Sequence, residues 1–230
     1  MAFYDRTEAG AKLGEALKTY AGRDPVVLAL PRGGLPVAAE AAKALHAPLD
    51  IVLVRKIGVP WQPELAMGAI ADGPSVVTVR NEGVIAMAAV TPGEFDRQRD
   101  LALAELDRRR TLYRHGRSHI DVAGKTAIVV DDGVATGATM RAALMAVRAG
   151  RPKAVVMAVP VASPDALDAL AQDADAIVCL ESHPHFPGVG AFYGVFDQLS
   201  DERVFAILDR FAPAKAAAPE APRPGPPAPP

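Results

Sequence analysis

Residues Ala127-Ile128-Val129-Val130-Asp131-Asp132-Gly133-Val134-Ala135-Thr136-Gly137-Ala138-Thr139-Met140 run an apolar strand into two adjacent carboxylates and then into a loop of small and hydroxyl-bearing residues. Four apolar residues in a row, with no polar alternation, predict a strand covered on both faces, as in a parallel sheet. Past the loop, Met140, Ala143, Leu144 and Val147 recur at helical spacing. The loop therefore joins a strand's carboxyl end to a helix's amino end, where unpaired N–H groups and the helix dipole attract an anion. Small residues at 135–139 let the backbone approach that anion closely, and Thr136 and Thr139 add hydroxyl donors. Asp131 and Asp132 cannot face the same anion; a pair of sugar hydroxyls or a bound Mg²⁺ would satisfy them. A plain strand-to-helix turn would leave this acid pair at a strand end without a partner, which is costly. No Gly-x-Gly-x-x-Gly occurs in the right context, so a dinucleotide fingerprint fits worse.

Two further loops repeat the arrangement. Val26–Leu30 is an apolar run between Pro25 and Pro31, followed by Arg32-Gly33-Gly34-Leu35-Pro36 and an apolar helical face at Val37, Ala38, Ala41 and Leu45. Backbone donors at a helix start, with Arg32 beside them, again suit an anion. Leu49–Val54 reads as one strand ending in Arg55-Lys56-Ile57-Gly58-Val59-Pro60-Trp61-Gln62-Pro63-Glu64, a basic, Gly/Pro-containing stretch expected to be a mobile loop over an anionic ligand. Trp61, the only tryptophan, either stacks on a flat ligand or caps the loop against the core.

The remaining pattern alternates strands and helices. Leu13, Leu17 and Tyr20 mark a first helix, and Ala66–Ala71 with Val76–Val79 predict a hairpin around Asp72-Gly73-Pro74. Thr91 and Glu94 predict a capping box for a helix over 92–114, with Arg108-Arg109-Arg110 on its solvated face. Strands at 154–159 and around Cys179, a helix opened by Ser163-Pro164, and a final helix capped by Ser200 complete the series. The expected fold class is α/β: a mainly parallel twisted sheet with helices on both faces and ligands at the strands' carboxyl ends. The lone Cys179 lies in a strand-like run and is expected in the core. Glu181–Tyr193 mixes histidines, glycines and aromatics; Phe186, Phe192 and Tyr193 either sandwich a flat ring or close the core. His183 and His185 lack a third metal ligand of suitable spacing. A formal net charge of −2 gives no general attraction to nucleic acid, and no apolar run or leader points to a membrane or to export, so a cytoplasmic protein is expected.

The chain resembles the type I phosphoribosyltransferases, whose signature is a hydrophobic strand, two acids, two small residues and a Thr/Gly loop. It is similar in particular to a bacterial subgroup whose acceptor is unsettled, marked here by Phe3, Asp5 and Arg6, Leu30–Gly34, Arg55–Gly58, Pro63–Ala69, Asp131–Thr139 and Gly190–Tyr193. The resemblance implies transfer of a 5-phosphoribosyl group from phosphoribosyl pyrophosphate (PRPP) to a nitrogenous acceptor, with Mg²⁺ accompanying the substrate. It assigns Asp131 and Asp132 to the ribose hydroxyls and Mg²⁺, Ala135, Thr136, Gly137, Ala138 and Thr139 to the 5′-phosphate, and Arg32, Gly33 and Gly34 to the pyrophosphate. Lys56 and Arg55 become the catalytic cations of a flexible loop, and Glu64 the nearby carboxylate nominated as acid or base. Trp61, Phe192 and Tyr193 are candidates for the acceptor. Hypoxanthine-type relatives carry an Asp where this chain has Ala135, which disfavours hypoxanthine or guanine. The resemblance also implies a core over residues 1–211, with a small hood drawn from 181–198 and part of 60–115, while the Ala/Pro-rich composition of 212–230 predicts a disordered tail. A homodimer is allowed. The alternative on the same fold is a non-catalytic PRPP- or nucleotide-sensing regulator.

Overall fold

Five of the apolar runs pair in parallel. The computed structural model describes residues 2–73, 76–114 and 119–211. Its main sheet is built from β1 (Pro25–Ala29), β2 (Leu49–Ile51), β6 (Thr126–Val130), β7 (Ala154–Ala162) and β8 (Ala176–Ser182), in the order β2-β1-β6-β7-β8. Every adjacent pair is parallel, with Val27 opposite both Leu49 and Ile128, and Ile128 opposite Val156. β1 and β6 are buried at every position, which is why they read as unbroken apolar runs.

Alternate residues of these strands feed two cores. Val27, Ala29, Ile128, Val130, Val156 and Ala158 pack with α1 (Arg6–Ala16), α2 (Gly34–Leu45) and α7 (Asp201–Arg210). Val26, Leu28, Leu30, Ala127, Val129, Val155 and Met157 pack with α5 (Ala138–Ala149) and α6 (Pro164–Leu170) on the opposite face. β1 leads to β2 on one side and lies against β6 on the other, and the helices that follow them, α2 and α5, lie on opposite faces of the sheet. Such a reversal of strand order opens a crevice at the carboxyl edge.

Residues 54–80 differ from the expectation. β2 stops at Ile51, and the chain turns into a second, antiparallel sheet of β3 (Val54–Val59), β4 (Gln62–Ala71) and β5 (Val77–Arg80) in that order. Leu49–Val54 is thus not one strand, and Arg55 and Lys56 belong to a strand rather than a loop, opposite Ile70 and Ala69. The expected β4–β5 hairpin is present in register Ala69–Val79; Pro74 of its turn lies outside the described residues, as does the 212–230 tail. Ile57, Val59, Met67 and Ile70 are buried with α4 (Pro92–Arg114), whereas Arg55 and Lys56, adjacent and so directed to opposite faces, are both exposed: the cations that suggested a loop mark the exposed first half of a strand.

A short helix, α3 (Glu82–Met87), precedes α4. The capping box forms reciprocally: the Thr91 N–H donates to Glu94 Oε2 at 2.8 Å and the Glu94 N–H to Thr91 Oγ1 at 3.3 Å. Arg108 and Arg109 pair with Glu105 on the solvated face, but Arg110 turns inward to Asp72 at 2.7 Å, a correction to the reading of that run. Asp72, fully buried, also meets Arg114 and His119 at 3.4 Å. This network ties α4 to the start of the β4–β5 turn. Ser200 caps α7 by accepting from the Arg203 N–H, and Val204, Ile207 and Leu208 bury against the core. Cys179 is half-buried on β8, its thiol raised by burial and bonded to the Glu181 carbonyl at 3.1 Å.

Candidate functional site

The crevice between β1 and β6 is where the two glycine-containing loops meet. After β1 the Pro31–Arg32 peptide is cis, and Gly33 and Gly34 turn directly into α2. A Cβ on Gly33 would lie 2.2 Å from Asp132 Oδ2, and one on Gly34 would lie 2.7 Å from the Val130 carbonyl and 2.8 Å from Asp131 Cα. The backbone of the first loop is therefore seated on the acid pair of the second. Neither position has a positive φ that would demand glycine; contact does.

The second loop is anchored to β7. Val134 N–H donates to the Val161 carbonyl, Ser163 N–H to the Val134 carbonyl, and Ser163 Oγ–H to the Ala135 carbonyl at 2.8 Å. Gly133 packs against Val161 and Val189, where a Cβ would come within 2.9 Å and 2.7 Å of their methyls. Gly137 then adopts φ +80° as the residue before α5, a left-handed conformation glycine takes without strain. Ala135 and Thr136 are exposed and Ala138 and Thr139 half-buried, so the loop faces solvent around the first turn of α5. That turn's N–H groups lack intrahelical acceptors, which makes the loop suited to an anion.

The two acids have different surroundings. Asp132 Oδ2 accepts from Arg6 Nε at 2.8 Å, with both side chains 12 % exposed. The Asp132 carbonyl accepts from the Tyr193 hydroxyl at 2.6 Å. Asp131 Oδ1 accepts only the N–H of Asp132, at 2.8 Å, and has no cationic partner of its own among the described residues. Burial, and next the charge of Asp132, push the Asp131 carboxyl well above the usual carboxylate range. Burial raises Asp132 as well, against the opposing pull of Arg6. Two adjacent buried acids with one arginine beside them tend to hold a proton between them, and a cation or hydroxyl donors arriving at the pair would favour its ionised form instead.

Around the pair, Arg6 Nη1 donates to the Asp197 carbonyl at 2.9 Å, and its guanidinium carbon lies 3.7 Å from the centroid of the Phe196 ring. Arg32 is half-exposed; Nε meets the Tyr113 hydroxyl at 3.1 Å, Nη1 the Leu199 carbonyl at 2.9 Å, and Asp201 lies 3.4 Å away. Tyr113 in turn donates to Asp201 at 2.6 Å. The arginine of the first loop is thus directed toward α4 and α7.

The other expected site residues are placed less directly. Tyr193 is 5 % exposed and packs on Phe3, so it closes the core and offers no stacking face, a correction to its reading as an acceptor residue. Phe192 is half-buried, stacked on His183 at 4.8 Å and tilted against Phe186 at 4.8 Å, so its ring is engaged by neighbours of its own segment. Trp61 is 59 % exposed at the β3–β4 turn, so it does not cap the core. Glu64 is exposed in the irregular stretch between the pairs Gly58–Ala66 and Val59–Gln62. Arg55, Lys56 and Glu64 make no hydrogen bond or ion pair with the acid loop among the described residues. His183 bonds Glu181 at 2.9 Å, and no group of three His, Cys, Asp or Glu among the described residues could hold a metal ion.

Arg6, Tyr113 and Asp201 were not singled out as site residues. One signal was available for Arg6: a cation at the first position of a helix opposes the helix dipole unless a carboxylate answers it. Tyr113 and Asp201 lie far from the loops in sequence and carried no comparable mark.

Comparison with known proteins gives this arrangement a lineage. The family model "Phosphoribosyl transferase domain" matches residues 6–191. The Mycobacterium tuberculosis protein named "Putative phosphoribosyl transferase Rv0571c" is 46 % identical over 208 residues, which are 90 % of this chain and 46 % of that protein. The chain thus spans about half the length of the curated relatives it matches. The crystal structure of TT1426 from Thermus thermophilus superposes with a TM-score of 0.80 at 42 % identity, covering 93 % of this chain and 100 % of that one. With a matching family model that runs from the start of α1 to just short of Tyr193, enclosing both glycine loops and the acid pair, the chain belongs to the phosphoribosyl transferase domain family.

Proposed function

We propose that the crevice binds PRPP and that the protein transfers its 5-phosphoribosyl group to a nitrogen nucleophile, releasing pyrophosphate. The observation that carries this reading is the seating of the Arg32-Gly33-Gly34 loop on Asp131 and Asp132, with the 135–139 loop next to the same acids. It supports a ligand with anions at both ends and hydroxyls between them. On this reading Ala135–Thr139 hold the 5′-phosphate on the first turn of α5, the acids accept from the ribose hydroxyls, and the backbone at Gly33 and Gly34 meets the pyrophosphate. Arg55 and Lys56, exposed on β3 just past the sheet's carboxyl edge, supply positive charge for the departing pyrophosphate as the β3–β4 hairpin closes. Glu64 on the same hairpin remains the candidate acid or base for the acceptor, and Trp61 at its tip the candidate stacking face.

The donor set suits Mg²⁺ arriving with the ligand: two carboxylates and no third protein ligand among the described residues fit a hard cation bound largely by phosphate and hydroxyl oxygens. When bound, Mg²⁺ supplies charge neutralisation at the pyrophosphate. The chain's own part is to fix the ribose between phosphate and acids, exclude water beneath the hairpin, and steady the leaving group; positive charge building at the anomeric carbon is stabilised by what remains around it. Among the described residues no helix is long and apolar enough to cross a membrane; the proposed reaction has small molecules as its partners.

Pyrophosphate release from PRPP, measured across a panel of nucleobases and amines with Mg²⁺, tests the proposal. Release with a particular acceptor is the expected result. Tight PRPP binding with no release for any acceptor would overturn the transferase reading in favour of a sensor.

A further inference from the structure

We infer that Arg6 is a positioning residue for the sugar-binding acid: it fixes Asp132 for a ligand hydroxyl and couples that carboxylate to the segment 194–199. The inference rests on the proposed reading of the crevice as a ribose site. Arg6 is the first residue of α1, where a cation is opposed by the helix dipole. Its placement is answered on three sides, by Asp132 Oδ2 at 2.8 Å, by the Asp197 carbonyl at 2.9 Å and by the face of Phe196 at 3.7 Å. At 12 % exposure for both side chains, this ion pair is shielded from the solvent screening that makes surface pairs nearly worthless.

Asp132 is held from the other directions too. The Tyr193 hydroxyl grips its carbonyl, and Gly33 lies so close to Oδ2 that a Cβ there would sit at 2.2 Å. With Oδ2 committed to Arg6, Oδ1 is the oxygen of Asp132 left to accept from a ligand. Asp131 carries no such clamp, so the two acids divide the work: Asp132 is preset, and Asp131 adjusts to what arrives. Tyr193 and Phe196 stack at 5.1 Å, and Phe196 packs on Gly190, where a Cβ would come within 2.8 Å of its ring. The segment 194–199 and the acid proposed to read the sugar are therefore joined through one guanidinium. Without Arg6, Asp132 would be free to rotate away from Asp131, since two adjacent carboxylates repel.

The test separates the sugar from the phosphate. Ribose 5-phosphate and inorganic phosphate both engage the 135–139 loop, but only the sugar meets the acids. Dissociation constants for both probes are measured by titration with wild type, Arg6→Ala and Arg6→Lys, alongside thermal melts. Arg6→Ala is expected to weaken ribose 5-phosphate about tenfold, the loss of one charge-assisted hydrogen bond's orientation, and to leave inorganic phosphate within twofold. Arg6→Lys, which restores a cation with a single reach, is expected to recover part of the loss. Equal weakening of both probes would mean that Arg6 serves folding alone, and unchanged ribose 5-phosphate affinity would mean that it serves neither; each overturns the inference while leaving the site reading intact. Failure of wild type to bind either ribose 5-phosphate or PRPP would overturn the site reading itself.

Discussion

Gly33→Ala adds one methyl group at the point where the two loops touch, and its consequence can be worked out from the structure. Gly33 has φ −59° and ψ −42°, ordinary values for alanine, so the substitution introduces no backbone strain. Its Cβ would stand 2.2 Å from Asp132 Oδ2 and 2.7 Å from Asp132 Cγ. Van der Waals contact requires a retreat of the carboxyl by about 1 Å. Asp132 cannot retreat freely, because its Oδ2 is bonded to Arg6 and its carbonyl to Tyr193. Breaking the Arg6 bond costs about 1.5–3 kcal/mol, and keeping it means overpacking at about 1–3 kcal/mol. Either way stability falls by about 2 kcal/mol, which for a domain of this size lowers Tm by roughly 4–8 °C. The ligand feels more: a reading group displaced by about 1 Å costs up to about a hundredfold. Calorimetric titration with Mg²⁺ and PRPP, with Gly83→Ala as control, measures this. Gly83 lies in α3 with only an ordinary 3.5 Å neighbour, so its alanine variant should match or slightly exceed wild type in stability. PRPP affinity in Gly33→Ala within twofold of wild type would refute the seating of one loop on the other.

Gly34→Ala meets backbone rather than a side chain, at 2.7 Å and 2.8 Å, and neither the strand nor Asp131 Cα can yield; a loss of about 3 kcal/mol in denaturant unfolding is expected, larger than for Gly33→Ala. Tyr193→Phe leaves the Asp132 carbonyl without its partner and should cost about 1–3 kcal/mol, read by the same unfolding midpoint. Burial alone would raise Asp72, yet hydrogen bonds from His119 and Arg110 and the charge of Arg114 outweigh it and hold the carboxyl below the usual range. Its contribution is therefore complete above the unfolded-state value near pH ~3.9 and is lost as pH falls below it. Asp72→Asn should destabilise at neutral pH by about 3 kcal/mol, because Arg110 and Arg114 lose their buried partner, and should flatten the acid limb of a stability-against-pH profile. Trp61, the only tryptophan and exposed at the hairpin tip, should blue-shift its fluorescence on PRPP addition as the hairpin closes, and an unchanged spectrum would argue against closure.

Much of the parallel sheet was legible because β1 and β6 are buried on both faces and so carry no charged residue to confuse their period. The capping box at Thr91 and the Ser163 and Ser200 caps were legible for the same kind of reason: each is a local device with local chemistry. β3 was not. Its first half is exposed on both faces at Arg55 and Lys56, and its irregular pairing near Gly58, where Pro63 crosses so closely that a Cβ would lie 2.3 Å away, breaks the alternation. The acid loop and the Arg-Gly-Gly loop announced themselves in sequence, but their contact did not, since Gly33 and Asp131 are far apart in numbering and only the pairing of β1 with β6 joins them. Arg6, 126 positions from Asp132, shows the same limit. For Tyr193 the sequence left two readings, an acceptor surface or a closure of the core, because an aromatic after a glycine-rich stretch suits both; burial of its ring against Phe3 decides for the second.

Whether the acid pair reads the ribose of PRPP is decided by a calorimetric titration of Mg²⁺ and PRPP into wild type and into the Asp131→Asn, Asp132→Asn double variant. Saturable binding to wild type is expected, and loss of it in a variant that still melts cooperatively. Equal affinity in the two proteins would contradict that role for the acids.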